Sequence, residues 1–302
     1  MANIGIGEAA NSIPTIVAAE ALGYLQANTV MLQLVARDWD NEVAQAGNVI
    51  TIPFTGALSV NDKAADTVVT LQNPSDTAVT VTLDKHKEVS FIIEDPGAWF
   101  ARPDLQAQYI SDAMAVMAEQ IDADLTALYT GLSQTIDATA GLGETDFREA
   151  RRLLNSAKAP LGNRAAVLHE DAEFELLALD RFISSDYSSV QGEPGPTGLV
   201  QSYAGKFMGF DVFMDQKITI ATAQAKNLFF HKNAFVLATR PMASAPAEFG
   251  VSQVVMAENG IGLRVTMSYN ADHLGVQVTI DVLYGVKELR DSHGVSVSTT
   301  EI

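Results

Sequence analysis

Apolar residues recur at three- and four-residue steps through Ile110, Met114, Met117, Ile121, Leu125, Leu128 and Leu132, which stacks them on one face of a helix. The run from Pro103 to Gly131 therefore predicts a single amphipathic helix. Pro103 suits the first turn, Asp104 lies near the positive end of the helix dipole, and Gly131 supplies the stop. At 1.5 Å per residue such a helix is a rod of roughly 40 Å, long enough to span a domain. Just before it, Val79, Val81, Leu83, Val89, Phe91 and Ile93 alternate with Thr80, Thr82, Asp84, Glu88, Ser90 and Glu94. Period two with β-branched residues predicts one long strand, one face in water, feeding the long helix.

Upstream, residues 1–13 show no periodicity and read as an arm that orders only against something else. From Pro14 the pattern IVAAEALGYLQ predicts a helix, and after Asn28 the run TVMLQLVARDW predicts extended chain. Ala46-Gly47-Asn48 turns the chain into a strand, Val49 to Phe54. Between that strand and the next lie Gly56, Asn61, Asp62, Asn73, Pro74, Ser75 and Asp76. This is the pattern of a long hairpin with its tip around residues 59–78 and little apolar surface of its own, which calls for a partner surface.

Downstream, Thr145 or Asp146 is placed to cap a helix through Ala157, which Pro160 and Gly162 end. A strand over 165–169, a helix over 170–182 and an irregular stretch over 184–202 follow. The rest is β-rich: GKFMGFDVFMDQKI, NLFFHKNAFVLATRP, the alternating strands Leu263 to Tyr269 and Val276 to Tyr284, and a last strand at Val295 and Val297. The alternation of helices and strands over 145–182 suggests a mixed α/β domain, with β-rich sequence closing the chain.

Composition narrows the chemistry. The 302 residues, 47% hydrophobic and 19% charged, suit a globular chain, and the absence of cysteine removes disulfides and thiol chemistry. A net charge of −18 opposes sequence-independent binding to phosphate backbones. The first basic residue is Arg37, so neither a signal-peptide n-region nor a basic nucleic-acid arm is expected. The uncharged run Ala21 to Ala36 is too short and polar to cross a bilayer, and the expectation is a soluble protein made in a cytoplasm.

Three constellations invite a catalytic or ligand-binding reading. Gly5, Gly7 and Ala10 imitate a dinucleotide loop, but no strand precedes them, and a flexible arm accounts for them better. Glu119, Asp122 and Asp124 fan around the long helix without the i, i+4 convergence of helix-borne metal ligands, and are expected on its solvated face. His169, Glu170 and Asp171 sit at a strand-to-helix junction where α/β enzymes place catalytic groups, yet acidic residues are also what a helix first turn favours. With no phosphate loop, GxSxG elbow or HExxH, no catalytic residue, cofactor or metal is expected.

The serial order of GNVITIP, AEQIDADLTALY, GKFMGFDVFMDQKI (Gly205 to Ile218), FFHKNAFVLATRP (Phe229 to Pro241) and YGVKELRDSHGVSVST resembles the major capsid proteins of tailed double-stranded DNA bacteriophages over nearly the whole chain. The stretch LVARDWDNEVAQAGNVITIP is most similar to the branch typified by short-tailed phage coat proteins. The resemblance implies an α+β fold shared with herpesvirus capsid floors and encapsulins. Its parts would be an N-terminal arm with a short helix (1–46), an extended β-hairpin loop and its root (47–95), the spine helix of a peripheral domain (96–135), an axial domain (136–230), and the peripheral β sheet with the C-terminus (231–302).

It also implies a non-enzymatic subunit forming hexamers and pentamers of an icosahedral head. The expected partners are the chain itself, a separate scaffolding protein, a portal protein at one vertex, a cement protein in some heads, and packaged DNA held without sequence specificity. There is no membrane partner, and assembly would take place in the bacterial cytoplasm. Arg37, Asp38, Asp62 and Lys63 are the expected contacts between subunits. Some family members cross-link a hairpin lysine to a neighbour's asparagine. Lys63 is the one lysine near the tip, but no matching catalytic glutamate is evident, and a salt bridge across subunits is the favoured role. The alternatives are an encapsulin-like compartment shell, a tail or decoration protein, or a soluble α/β enzyme using His169.

Overall fold

The computed structural model describes residues 29–37, 48–56, 58–94, 104–179, 203–240, 252–258 and 261–300, with Ala21 and Met242. In chain order its elements are α1 (Met31–Leu34), β1 (Val49–Phe54), β2 (Thr77–Thr82), β3 (Lys85–Glu94), α2 (Asp104–Thr126), β4 (Gln134–Ala138), α3 (Glu144–Ser156), β5 (Arg164–Leu168) and α4 (Glu170–Leu177). There follow β6 (Tyr203–Phe207), β7 (Phe210–Met214), β8 (Ile220–Ala221), β9 (Gln224–His231), β10 (Phe235–Thr239), β11 (Ser252–Glu258), β12 (Ile261–Asn270), β13 (Gly275–Glu288) and β14 (Gly294–Thr300). The class is α+β, as the resemblance implies.

The predicted face of α2 is the centre of the main core. Ile110, Met114, Met117, Ile121, Leu125 and Leu132 are buried, and Leu128 packs half-buried against the same cluster. Leu263, Val265, Val278, Ile280 and Val282 of a five-stranded sheet meet this face, and Val167, Leu228 and Phe230 of a seven-stranded sheet belong to the same cluster. One apolar stripe thus joins two sheets. After Thr126 the helix tightens into a 3-10 turn, Ala127–Gly131, closed by the Leu132 N–H on the Tyr129 carbonyl at 3.1 Å.

The five-stranded sheet is antiparallel. Its long strand β13 pairs along one edge with β12, which carries β11, and along the other with β3 and then β10. The seven-stranded sheet is mixed, ordered β4-β14-β9-β5-β7-β6 with β8 on β9, and its parallel pairs are β4/β14 and β5/β7. On its far face α3 and α4 cover a second core, in which the Phe147 ring meets Phe207, Phe210 and Phe229 edge-on at centroid distances of 4.9, 6.3 and 4.8 Å.

Several expectations need correction. The alternation from Val79 to Ile93 is two strands: β2 pairs with β1 in a small sheet, and β3 pairs with β13. Leu83 and Asp84 divide them, and Leu83 is buried in register with the pattern on both sides. A period-two signal carries no information on which sheet a strand joins. The run from Met31 to Leu34 is a helical turn, because a carboxylate from α2 satisfies its first amides. The residue capping α3 is Gly143; Asp146 lies inside the first turn and accepts the Gly143 N–H at 2.8 Å. The closing strand β14 lies between β4 and β9, away from the strands of 231–288. The arm over 1–13, the irregular stretch over 184–202 and, apart from the helical and buried Ala21, the helix expected from Pro14 lie outside the described residues.

Candidate intersubunit surface

The root of the hairpin is built by alternation. In β1 and β2, paired from Val49 opposite Thr82 to Phe54 opposite Thr77, Ile50, Ile52 and Val81 point inward. They pack with Leu83, Val236, Ala238 and Leu289 into a third small core. The root is pressed against β13 at Gly285, where an added Cβ would lie 2.2 Å from the Thr82 carbonyl oxygen. Phe54 ends β1 beneath the guanidinium of Arg290, 4.9 Å from the ring centre. An open cavity of about 470 Å³ lies beside this pair, lined also by Thr55, Thr77, Val79 and Glu288.

Beyond the root, the described residues of 55–76 form neither strand nor helix, yet their two limbs run together. The Ser59 N–H donates to Gln72 Oε1 at 2.7 Å, and Gly56 approaches Ser75 so closely that a Cβ would meet its carbonyl oxygen at 2.6 Å. At the tip Asp66 adopts φ of 61°, and the Ala64 carbonyl accepts from Thr67 Oγ1 at 2.9 Å and from Lys63 Nζ at 3.0 Å. Asp62 and Lys63 are both exposed there.

The largest surprise is apolar. The sequence reading credits the hairpin with little apolar surface, but Val60, Val68 and Leu71 are 98, 93 and 90% exposed, and Leu58 and Val69 are exposed beside them. Five aliphatic side chains on one extended projection are a surface that water does not stabilise. The five aliphatics are visible in the sequence between 58 and 71, but at no regular spacing. Arg37 lies elsewhere, half-buried one residue beyond the bridge between Ala36 and Val236, and Asp38 is outside the described residues.

The interior candidates turn out to be structural. Asp122 is 2% exposed, contrary to the expectation of a solvated face. Its Oδ2 accepts the Val30 N–H at 2.8 Å and its Oδ1 the Met31 N–H at 3.2 Å, so it caps α1 from the side of α2. Burial, reinforced by the nearby Asp215 charge, pushes its carboxyl up to about 8. Asp124 instead accepts from the buried Tyr284 hydroxyl at 2.6 Å and pairs with Lys85 at 3.3 Å, while Glu119 pairs with Lys217 at 2.9 Å. The three carboxylates share no partner, and the described residues contain no group of three or more His, Cys, Asp or Glu placed to hold a metal.

His169 is likewise absorbed by the fold. It is the N-cap of α4, its Nδ1 accepting the Asp171 N–H at 3.4 Å, and its own N–H donates to Asn227 Oδ1 at 2.7 Å. Asn227 in turn donates to Thr299 Oγ1 at 2.8 Å, linking the junction to β14. A capping side chain buried in this way stabilises a helix end. Among the described residues no helix is long and apolar enough to cross a membrane.

No family model and no curated protein matches the sequence. Solved structures match it over most of its length. A structure of Mycobacterium phage Che8 shares 20% identity, with a TM-score of 0.66 over 89% of this chain and 90% of the other. The capsid of Ralstonia phage GP4 shares 11%, with a TM-score of 0.63 over 89% and 87%. The capsid of cyanophage P-SCSP1u shares 14%, with a TM-score of 0.59 over 85% of both chains. Spine helix, projecting hairpin and the two sheets together place this chain in the phage capsid-protein fold.

Proposed function

We propose that this protein is the major capsid protein of a tailed double-stranded DNA bacteriophage, a non-enzymatic subunit that assembles with copies of itself into the hexamers and pentamers of an icosahedral head. The observation that carries this reading is the hairpin over 55–76, which holds five exposed aliphatic side chains on a firmly docked root. A projection of that kind gains stability only when a second surface covers it. Identical subunits supply such a surface through head-to-tail contacts that close into rings.

The charge supports enclosure rather than condensation of DNA. A subunit with a net charge of −18 repels phosphate, so DNA would be driven in by a separate machine and held without sequence specificity. A separate scaffolding protein, a portal at one vertex and, in some heads, a cement protein would complete the particle, put together in the bacterial cytoplasm. Asp62 and Lys63, at the tip of the hairpin, together with Arg37 and Asp38, would add polar contacts between subunits.

The test is the size of the purified assembly, by sedimentation and negative-stain microscopy, with and without a co-expressed scaffolding partner. Closed shells of uniform diameter are expected. A chain that stays monomeric in both conditions would refute the reading.

A further inference from the structure

Lys232–Ala234, between β9 and β10, and Leu289–His293, between β13 and β14, carry the chain directly from one sheet to the other, and Leu132–Ser133 leads from the 3-10 turn after α2 into β4. They come together in one place. The N–H groups of Leu289 and Arg290 both donate to the Ala234 carbonyl, at 2.7 and 3.2 Å. Gly294 leaves no room for a side chain, since a Cβ there would lie 2.6 Å from Leu132. At this crossing His231, the last residue of β9, meets His293, the residue before β14. Their rings stand 6.0 Å apart at 88°, and both residues are buried.

The surroundings favour neutral rings. His231 Nδ1 accepts the Asn233 N–H at 3.2 Å, which leaves that nitrogen without a proton. His293 Nδ1 is buried with no hydrogen-bond partner among the described residues. The charged groups facing the pair are mostly cations: Arg164 on β5, which acts on both rings, Lys232 beside His231, and Arg290 beside His293, with Asp291 the one opposing anion. Arg164 is fixed there by its bonds to the carbonyls of Pro160 and Ala159, at 2.8 and 2.7 Å. Burial first, then the neighbouring ring and cations, push His231 down; burial first, then Arg290 and Arg164, push His293 down. The same cations disfavour a bound metal ion at the two rings.

We propose that the His231–His293 pair is an acid-operated latch on the chain crossing between the two sheets: neutral, the edge-on rings hold the chain passages together, and protonated, a ring brings a second positive charge into a buried site beside Arg164 and the crossing opens locally. The opening is confined to the crossing, because the main core packs residues of both sheets around α2 and keeps the sheets in place. This holds whether or not the chain assembles.

Hydrogen exchange of the full chain, followed by mass spectrometry and corrected for the intrinsic effect of pH, tests it. From about pH 7.5 to about pH 4.5, protection over 231–235 and 289–294 is expected to fall by up to about tenfold per pH unit once pH drops below the ordinary histidine value of the open form, near 6.5, and to level off when the lowered value of the closed pair is passed, because the open form binds the extra proton. Amides central to β12 and β13 keep theirs. His231→Asn retains the acceptor for the Asn233 N–H, and His293→Phe retains the ring contact without titrating. The double variant is expected to lose the pH response, and each single variant to weaken it. A wild type whose two segments do not respond to pH, or respond only as much as β12 and β13, overturns the proposal without any variant. So does a response that survives in the double variant.

Discussion

Asp122, about one turn from the C-terminal end of α2, accepts the backbone N–H of Val30 at 2.8 Å across 92 positions of sequence, and so ties the segment before the hairpin to the spine. The bond is unusual because the carboxyl is buried and titrates near 8, so the proton is retained at neutral pH. A carboxyl whose pKa is higher folded than unfolded contributes stability that is fully present below its unfolded value, near 3.8, and lost by the time pH has risen through about 8. Asp122→Asn removes the titration and keeps the shape. The melting temperature of the variant relative to wild type is expected to climb between about pH 4 and about pH 8 and then level off, at up to about 1.4 kcal/mol of stability per pH unit. A difference independent of pH would show that Asp122 is ionised throughout.

Val60→Asp and Leu71→Asp place charges on exposed hairpin positions that touch nothing buried. Thermal stability of the unassembled subunit should change by less than about 0.5 kcal/mol, while sedimentation should show loss of assembled particles. Assembly indifferent to both changes would move the subunit contact elsewhere.

Phe147 and Phe174 are 27 positions apart on α3 and α4 and differ entirely in setting. Phe147 is fully buried among three other rings, whereas Phe174 is 70% exposed. Phe147→Ala should cost about 3–5 kcal/mol in denaturant unfolding and Phe174→Ala less than about 0.5 kcal/mol. Equal losses would mean that the second core is not packed as described.

The turn between β8 and β9 holds Thr222 and Ala223 at φ of 58° and 57°, a left-handed pair that asparagine and glycine adopt with less strain. Thr222→Asn with Ala223→Gly should stabilise the chain by about 0.5–1 kcal/mol, read as a higher denaturant midpoint. A lower midpoint would imply that Thr222 or Ala223 makes a contact that the turn needs.

Local pattern made the architecture legible wherever a residue's environment follows from its neighbours in sequence. The stripe from Ile110 to Leu132 located the spine helix because every fourth or third side chain is buried by the same two sheets. The root of the hairpin was legible from Val49 to Phe54 for the same reason. What was not legible depends on residues far apart. The sharing of Val79 to Ile93 between two sheets is decided by β1 on one side and β13 on the other. The helical turn at Met31 is decided by Asp122, and the burial of that carboxylate by a cap that lies 91 positions away. His231 and His293 lack any motif spacing, since they meet only because two chain passages meet. At the hairpin, Leu58, Val60, Val68, Val69 and Leu71 follow no regular period, so no pattern marks them as a surface.

Strand β14 has a consequence for the timing of biosynthesis. It is the partner of β4 on one side and of β9 on the other, so among the described residues it is what joins β4 to the seven-stranded sheet. While the ribosome is still short of residue 294, β4 has no strand to pair with and β9 has an open edge. Completion of that sheet therefore waits until residues 294–300 have been made, after every other strand of the sheet.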